Sequence, residues 1–232
     1  MMIRKLRSLW NRVLFTKDER FYHQLFVENP SWNSSNPNHD EQLRWSAIRE
    51  LIEPRVASPE VQILDVGSGR GWLTHLLSGL GKAQGLEPVR PVVRYARKLF
   101  PKLAFFEGSL NDFITAHPDR RFDWVVSSEV LEHVPDEEKP MFIRSLKSIL
   151  QPTGHLVITT PRLEAMSALP YDPAQPVENW LTEDRLQALF LTEGFRPEEK
   201  RTLVLEGHAA GEPVYQVWLF SLAHDKLHTH LS

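Results

Sequence analysis

Apolar runs and helix-like patterns alternate along most of this chain. Short apolar runs predict buried strands, and apolar residues spaced three and four apart predict helices between them. The predicted strands lie at 61–66, 83–87, 103–107, 124–128 and 155–159. The predicted helices lie at 72–80, 89–100 and 137–150. Apolar strands separated by helices indicate a parallel sheet with helices on both faces.

The end of the chain follows another pattern. A predicted helix at 182–193 precedes two predicted strands, 201–206 and 214–222, which are joined by a glycine-containing loop. Two strands joined directly in this way form an antiparallel pair. The predicted fold class is therefore α/β, with a doubly wound and mostly parallel sheet that ends in an antiparallel strand.

The N-terminal part differs in composition from the rest. Residues 1–17 carry five basic residues and no acidic one, with apolar residues at helical spacing, which predicts a basic amphipathic helix. This helix either packs on the protein or makes weak contact with a membrane surface. Residues 20–56 are rich in aromatic and amide side chains and predict a cap over the domain. We divide the chain into this N-terminal segment (1–56), one domain (57–222) and a tail (223–232).

Composition excludes several classes of protein. The net charge is −3, with 27 basic and 30 acidic residues, which disfavours a nucleic-acid partner. The chain has no cysteine, which excludes disulfides and thiolate chemistry. No apolar run approaches the roughly 18 residues of a membrane-spanning helix, and basic residues interrupt any signal-peptide core. We therefore expect a cytoplasmic protein.

A glycine-rich turn follows the first predicted strand. Asp65 lies near the end of this strand, and glycines follow at 67, 69 and 71. Such a turn lies at the edge of the sheet where open α/β folds bind ligands. A dinucleotide-binding fingerprint needs a small residue at position 72. That position holds the large Trp72, so a nicotinamide or flavin cofactor is disfavoured. Glu87 ends the second strand and can accept hydrogen bonds from ribose hydroxyls, which indicates a nucleoside-containing cofactor.

These motifs, together with residues 107–110, 122–134 and 150–161, resemble the class I S-adenosylmethionine-dependent methyltransferases. The branch is that of methyltransferase type 11 and the ubiquinone-biosynthesis O-methyltransferases, and the resemblance covers residues 55–222. It implies a Rossmann-like sheet of seven strands, with the last, antiparallel strand inserted beside its neighbour. It also implies S-adenosyl-L-methionine as the cofactor.

The resemblance also implies a set of cofactor-binding residues. The loop at 67–71 would hold the methionine moiety together with Asp65, and Glu87 would hold the ribose. Ser109 or the backbone amide of Leu110 would contact the adenine, although relatives often have an acid at position 109. Ser128 and Glu129 would lie beneath the sulfonium. The full set is Asp65, Gly67, Ser68, Gly69, Gly71, Glu87, Pro88, Ser109, Leu110, Ser128 and Glu129.

A hydroxyl acceptor needs a base, and His133 is the candidate because imidazole titrates near neutral pH. Glu129, Glu132 and His133 stand at i, i+3 and i+4, which places them on one face of a helical turn. The catalytic residues are thus predicted to be His133 and Glu132, unless these two only stabilise the turn. Some relatives bind a divalent metal through such a group, but no histidine lies between 156 and 207 to complete the site, so we predict none.

We therefore predict methyl transfer to a small molecule, most simply at a hydroxyl oxygen. The alternatives are a non-catalytic S-adenosylmethionine-binding or scaffold protein and, less favoured, an RNA 3′-terminal 2′-O-methyltransferase. The missing later histidine and the acidic balance count against the RNA enzyme. The predicted walls of the acceptor pocket are Tyr22, Trp32, Arg44, Trp45 and Tyr171.

Overall fold

The computed structural model describes residues 17–168, 178–205 and 213–223. The strands are β1 (Gln62–Val66), β2 (Lys82–Glu87), β3 (Ala104–Glu107), β4 (Phe122–Ser128), β5 (Leu150–Pro161), β6 (Phe195–Val204) and β7 (Pro213–Leu222). The α-helices are α1 (Lys17–His23), α2 (His39–Ile52), α3 (Trp72–Leu77), α4 (Arg90–Leu99), α5 (Leu110–Ala116), α6 (Lys139–Ser148) and α7 (Glu183–Thr192). A π-helical turn covers Gln24–Glu28, and 3-10 turns cover Glu53–Arg55, Leu131–His133 and Leu163–Ala168.

The seven strands form one sheet in the order β3-β2-β1-β4-β5-β7-β6. Strands β1 to β5 are parallel, and β7 pairs antiparallel with both β5 and β6. The chain therefore inserts its last strand between β5 and β6. The predicted fold class and the predicted place of the last strand are confirmed.

Alternating residues of the strands pack on opposite faces of the sheet. On one face, Leu64 and Val66 of β1 lie in a core with residues of α5, α6 and α7. On the other face, Ile63 lies in a core with residues of α2 and α3. Because both faces are covered by helices, the central strands are apolar at nearly every position, as a buried parallel sheet requires.

Helix α2 belongs to the second of these cores. Its residues Ile48, Leu51 and Ile52 are fully buried. The helix begins with a capping box in which Asn38 and Glu41 satisfy each other's backbone amides. The N-terminal segment and the domain thus share one hydrophobic core.

Three elements differ clearly from the sequence prediction. Strand β5 begins at Leu150, five positions before the predicted start and at the residue predicted to end the preceding helix. Helix α5 was not predicted, although Ser109 and Asp112 form a capping box at its start. Strand β6 begins at residue 195, six positions before the predicted start. Its first half alternates exposed charged residues with less exposed ones, so it lacks the apolar run by which the other strands were predicted. Among the described residues, no helix is long and apolar enough to cross a membrane. The predicted basic helix lies almost wholly outside the described residues, as does the tail from 224 onward.

Candidate functional site

A cavity of about 850 Å³ lies at the carboxyl edge of the parallel strands. Residues of the loops after β1, β2, β3 and β4 line this cavity, together with residues of the N-terminal segment. Most of the predicted site residues line it, namely Asp65, Gly67, Ser68, Gly69, Glu87, Pro88, Ser109, Leu110, Ser128, Glu129, Glu132 and His133. The structure therefore brings together in one cavity residues that lie up to 68 positions apart in sequence.

Gly71 is the predicted residue that does not line the cavity. Its φ of +88° is in the left-handed region, and a Cβ there would lie 2.6 Å from the ring of Phe105. Gly67 has a φ of +74°, and its Cβ would lie 2.3 Å from Val130. Both positions therefore require glycine, Gly67 on the cavity wall and Gly71 behind it in the turn that starts α3.

Glu87 is a buried carboxylate that fixes the glycine loop. One of its oxygens accepts the backbone amide of Gly69 at 3.0 Å, and the other accepts that of Val89 at 2.8 Å. Burial raises the pKa of Glu87 to about 7, while these two hydrogen bonds act in the opposite direction. Each oxygen keeps a second lone pair, so the carboxylate can accept two further hydrogen bonds from a ligand.

Asp65 is held on the other side of the loop. Its Oδ2 accepts the hydroxyl of Thr74 on α3 at 2.6 Å. Burial raises the pKa of Asp65 to about 7, and the hydrogen bonds from Thr74 lower it. Helix α3 is thus tied to β1 through one buried carboxyl group.

The far end of the cavity carries the predicted catalytic group. Glu129 follows β4 with a φ of +57°, and its Oε1 accepts the hydroxyl of Thr159 at 2.8 Å. The fully buried Glu132 accepts the hydroxyl of Thr160 at 3.1 Å, and its Oε1 lies 3.8 Å from Nε2 of His133. The segment is a 3-10 turn and not an α-helix, yet it still places all three side chains on the same cavity.

Both glutamates have raised pKa values. Burial raises the pKa of Glu129 to about 8, and the charge of Glu132 adds to this effect. Burial also raises the pKa of Glu132 to about 8, with a further contribution from Glu178. Carboxyl groups with pKa values near the working pH are suited to proton transfer, and such shifts are common in functional sites.

Arg44 brings a buried positive charge to the cavity. This residue of α2 is 4% exposed, and its Nε has no hydrogen-bond partner among the described residues. Its guanidinium carbon lies 5.0 Å from the centre of the Tyr215 ring. Sequence reasoning placed Arg44 in the pocket wall, but the pattern gave no sign that its guanidinium is buried with an unused donor. A buried cation with an unused donor fits an anionic group of a ligand.

The N-terminal segment covers the glycine loop. Phe21, Tyr22, Leu25, Phe26 and Trp32 line the cavity. The ring of Phe26 comes within 3.5 Å of the Cβ position of Gly69. Of the other predicted walls, Trp45 packs against the core on the α2 side and does not line the cavity, and Tyr171 lies outside the described residues.

The described residues contain no group of three His, Asp or Glu side chains placed to hold a metal ion. Glu129, Glu132 and His133 share the cavity without converging on one point.

Comparison with known proteins identifies the family. The sequence model of a protein family described as a methyltransferase domain matches residues 38–200. The chain belongs to this family. A ubiquinone biosynthesis O-methyltransferase of Xanthomonas campestris is 30% identical over 140 residues, which cover 58% of this chain and 57% of the relative. The chain thus spans little more than half the length of such curated relatives.

Experimental structures show the same fold. The 1,6-didemethyltoxoflavin-N1-methyltransferase of Burkholderia thailandensis has a TM-score of 0.65 at 16% identity, with 95% of this chain and 90% of that chain covered. An S-adenosylmethionine-dependent methyltransferase of Mesorhizobium loti has a TM-score of 0.62 at 20% identity, with 78% and 98% covered. The resemblance to class I S-adenosylmethionine-dependent methyltransferases that the motifs indicated is confirmed.

Proposed function

We propose that the protein is an S-adenosylmethionine-dependent methyltransferase that acts on a hydroxyl oxygen of a small-molecule acceptor. The observation that carries this proposal is one continuous cavity wall that runs from Glu87 and the glycine loop to Glu129, Glu132 and His133. The first end suits a nucleoside and the second suits proton transfer. Membership of the methyltransferase-domain family supports methyl transfer as the reaction.

The residues at the first end fit the cofactor. Glu87 keeps one unused lone pair on each carboxylate oxygen, which matches the two vicinal hydroxyls of a ribose. The unused Nε–H of Arg44 fits the carboxylate of the methionine moiety, because a buried guanidinium favours an anionic acceptor. Gly67 and Gly69 line the cavity in positive-φ conformations, so the ligand would lie against the backbone of this loop.

When bound, the cofactor supplies a methyl group attached to a positively charged sulfur, which makes the methyl carbon electrophilic. The protein's own part is to position the acceptor oxygen and to remove its proton. We assign the proton to His133, with the Glu132 carboxylate 3.8 Å away to stabilise the imidazolium that forms. Positioning of the acceptor in the cavity supplies much of the remaining acceleration.

The acceptor side of the cavity favours an apolar and flat molecule. Aromatic side chains of the N-terminal segment line the cavity, as do Trp180 and Tyr215. The name of the Xanthomonas relative, a ubiquinone biosynthesis O-methyltransferase, supports an oxygen acceptor. We therefore propose an aromatic alcohol as the acceptor class, in a cytoplasmic enzyme without a nucleic-acid partner.

A panel assay tests the reaction. The protein is incubated with S-adenosylmethionine labelled in its methyl group and with phenols, aliphatic alcohols or amines of similar size. We expect label in the methyl ethers of phenols. Transfer to amines alone would contradict the oxygen acceptor. Cofactor binding without transfer to any member of the panel would favour the non-catalytic alternative.

Replacing Glu87 with alanine should weaken the binding of S-adenosylhomocysteine by about 1.5–3 kcal/mol, because hydrogen bonds to a buried carboxylate are lost. Titration calorimetry measures the affinity. The control is Glu107→Ala, which removes a glutamate at the end of the neighbouring strand β3 that does not line the cavity. An unchanged affinity in a folded Glu87→Ala protein would remove the ribose assignment.

A further inference from the structure

The apolar run of β5 ends in two threonines where the strand reaches the cavity. Thr159 and Thr160 follow Val157 and Ile158, and all four residues are buried. Because side chains alternate along a strand, Thr160 lies on the same face as Ile158, which belongs to the apolar core. A buried hydroxyl costs stability unless it has a hydrogen-bond partner. Valine would therefore suit position 160 unless the hydroxyl is needed.

The hydroxyl of Thr160 holds one oxygen of Glu132. It donates to Oε2 of Glu132 at 3.1 Å, while Oε1 is the oxygen that lies 3.8 Å from Nε2 of His133. The backbone carbonyl of Glu132 accepts the amide of Asn179 at 2.8 Å. Glu132 is thus fixed at its backbone and at one carboxylate oxygen, which leaves the second oxygen beside the imidazole.

Thr160 lies behind the site. Glu132 and His133 line the cavity, but Thr160 does not. A ligand in the cavity therefore meets Glu132 and His133 without touching Thr160. Any effect of the Thr160 hydroxyl on the reaction must pass through the Glu132 carboxyl group.

The charged and titratable groups around Glu132 come from three parts of the chain, namely Arg44 on α2, Glu178 before α7, and Glu129 and His133 on the segment of Glu132 itself. Burial raises the pKa of Glu132, and the charge of Glu178 adds to this rise. The Thr160 hydroxyl and the charge of Arg44 act in the opposite direction. Thr160 therefore opposes the burial that favours a neutral Glu132, because a donor hydrogen favours the ionised carboxylate.

We propose that Thr160 is a positioning residue for the proton transfer, because its hydroxyl orients the Glu132 carboxylate toward His133 and favours its ionised form. This inference rests on the proposed function and adds to it a residue outside the cavity. The proton of the acceptor hydroxyl goes to His133, and the charge of Glu132 stabilises the imidazolium. No proton passes through Thr160, whose hydrogen bond stays in place throughout.

A titration of Glu132 tests the proposal without any need for turnover. The protein is labelled with carbon-13 at the side-chain carboxyl groups of its glutamates, and the Glu132 signal is identified by its loss in Glu132→Gln. We expect a midpoint at about pH 8 in the unmodified protein. Thr160→Val should raise this midpoint by about 1 pH unit, since a hydrogen bond to the charged form is lost. Thr160→Ser keeps the hydroxyl and should restore the midpoint.

The rate of methyl transfer to a phenol supplies the second readout. In Thr160→Val the pH of half-maximal rate should rise together with the Glu132 midpoint. The maximal rate should fall about 10-fold, because the carboxylate is no longer held toward His133. The KM for S-adenosylmethionine should stay unchanged, since Thr160 does not line the cavity.

Ser127→Ala is the matched control. It removes a buried hydroxyl of the adjacent strand β4 that has no hydrogen-bond partner among the described residues. Neither the Glu132 midpoint nor the maximal rate should change in this variant. Thr160→Ala removes the hydroxyl without replacing it by a methyl group, and it must give the same upward shift as Thr160→Val.

An unmoved Glu132 midpoint in a folded Thr160→Val or Thr160→Ala protein would overturn the proposal, even if the rate fell, because the role of Thr160 would then be structural only. The same shift in Ser127→Ala, or no recovery in Thr160→Ser, would overturn it as well. Absence of methyl transfer by the unmodified protein would instead reject the proposed function. The titration would still decide whether Thr160 controls Glu132, so the two failures are distinguishable.

Discussion

Replacing His133 with alanine is expected to lower the rate of methyl transfer about 10²- to 10⁴-fold, the range that general base catalysis supplies. Affinity for S-adenosylhomocysteine should stay nearly unchanged, because His133 lies at the acceptor end of the cavity. The rate is measured with the phenol methylated in the panel assay. The control is His75→Ala, which removes an exposed histidine that stacks on Phe100 outside the cavity. A fully active His133→Ala protein would leave positioning as the source of catalysis.

The dependence of this rate on pH tests the role of Glu132. The pKa of Glu132 is raised to about 8, so its carboxyl group is largely protonated below that pH and ionised above it. Only the ionised form can stabilise an imidazolium on His133, and the rate should therefore rise as pH increases through about 8. Glu132→Gln removes this titration and should be slow at every pH. An unaltered pH profile in Glu132→Gln would contradict the role of its charge.

Chelators should leave the rate unchanged if His133 acts as the base without a metal. The three side chains of Glu129, Glu132 and His133 come from one short segment, and three ligands from one turn would leave a divalent ion poorly enclosed. Activity that disappears in chelator and returns with magnesium, manganese or zinc would show that this choice is wrong.

The parts of this protein that could be predicted from its sequence are those set by local pattern. Apolar runs identified the central strands because both faces of the sheet are buried, and the glycine spacing identified the tight turn after β1 because Gly67 must adopt a positive φ. The charged first half of β6 was missed because a partly exposed strand at the edge of a sheet lacks such a run. The capping box at Ser109 was a signal for α5 that apolar spacing alone did not give.

Residues that act through distant partners were not predictable in this way. Thr160 and Glu132 lie 28 positions apart, and nothing in either neighbourhood indicates that they meet. Arg70 and Glu41 are separated by 29 positions, and in sequence each resembles an ordinary exposed charge. Burial of a charge depends on a partner that folding brings to it, so these roles appear only in three dimensions.

Arg70 links the glycine loop to the N-terminal segment through a fully buried ion pair. Two of its guanidinium nitrogens donate to the two carboxylate oxygens of Glu41, each at 2.6 Å. Further donor groups of Arg70 reach the backbone carbonyls of Ser34 at 2.5 Å and Asn36 at 3.3 Å. Glu41 also accepts the backbone amide of Asn38 in the capping box of α2. The Arg70 side chain therefore joins the glycine loop to the N-terminal segment that covers it and to the start of α2.

Replacing Arg70 with methionine should lower the free energy of unfolding by about 3–5 kcal/mol, because the carboxylate of Glu41 is then buried without its partner. Denaturant titration measures this loss. Lys82→Met breaks the exposed ion pair with Glu60 and should cost at most about 1 kcal/mol. The double variant Arg70→Met/Glu41→Gln should regain much of the stability, since glutamine removes the buried charge and still completes the capping box.

The same double variant distinguishes the effect of Arg70 on stability from its effect on the segment that covers the glycine loop. Without Arg70, the carbonyls of Ser34 and Asn36 lose their link to the glycine loop, and affinity for S-adenosylhomocysteine should stay reduced even where the unfolding midpoint recovers. Recovery of both the stability and the affinity would show that Arg70 only balances the charge of Glu41. A loss of stability in Arg70→Met no larger than in Lys82→Met would contradict the buried ion pair itself, because breaking a desolvated pair must cost more than breaking one that water screens.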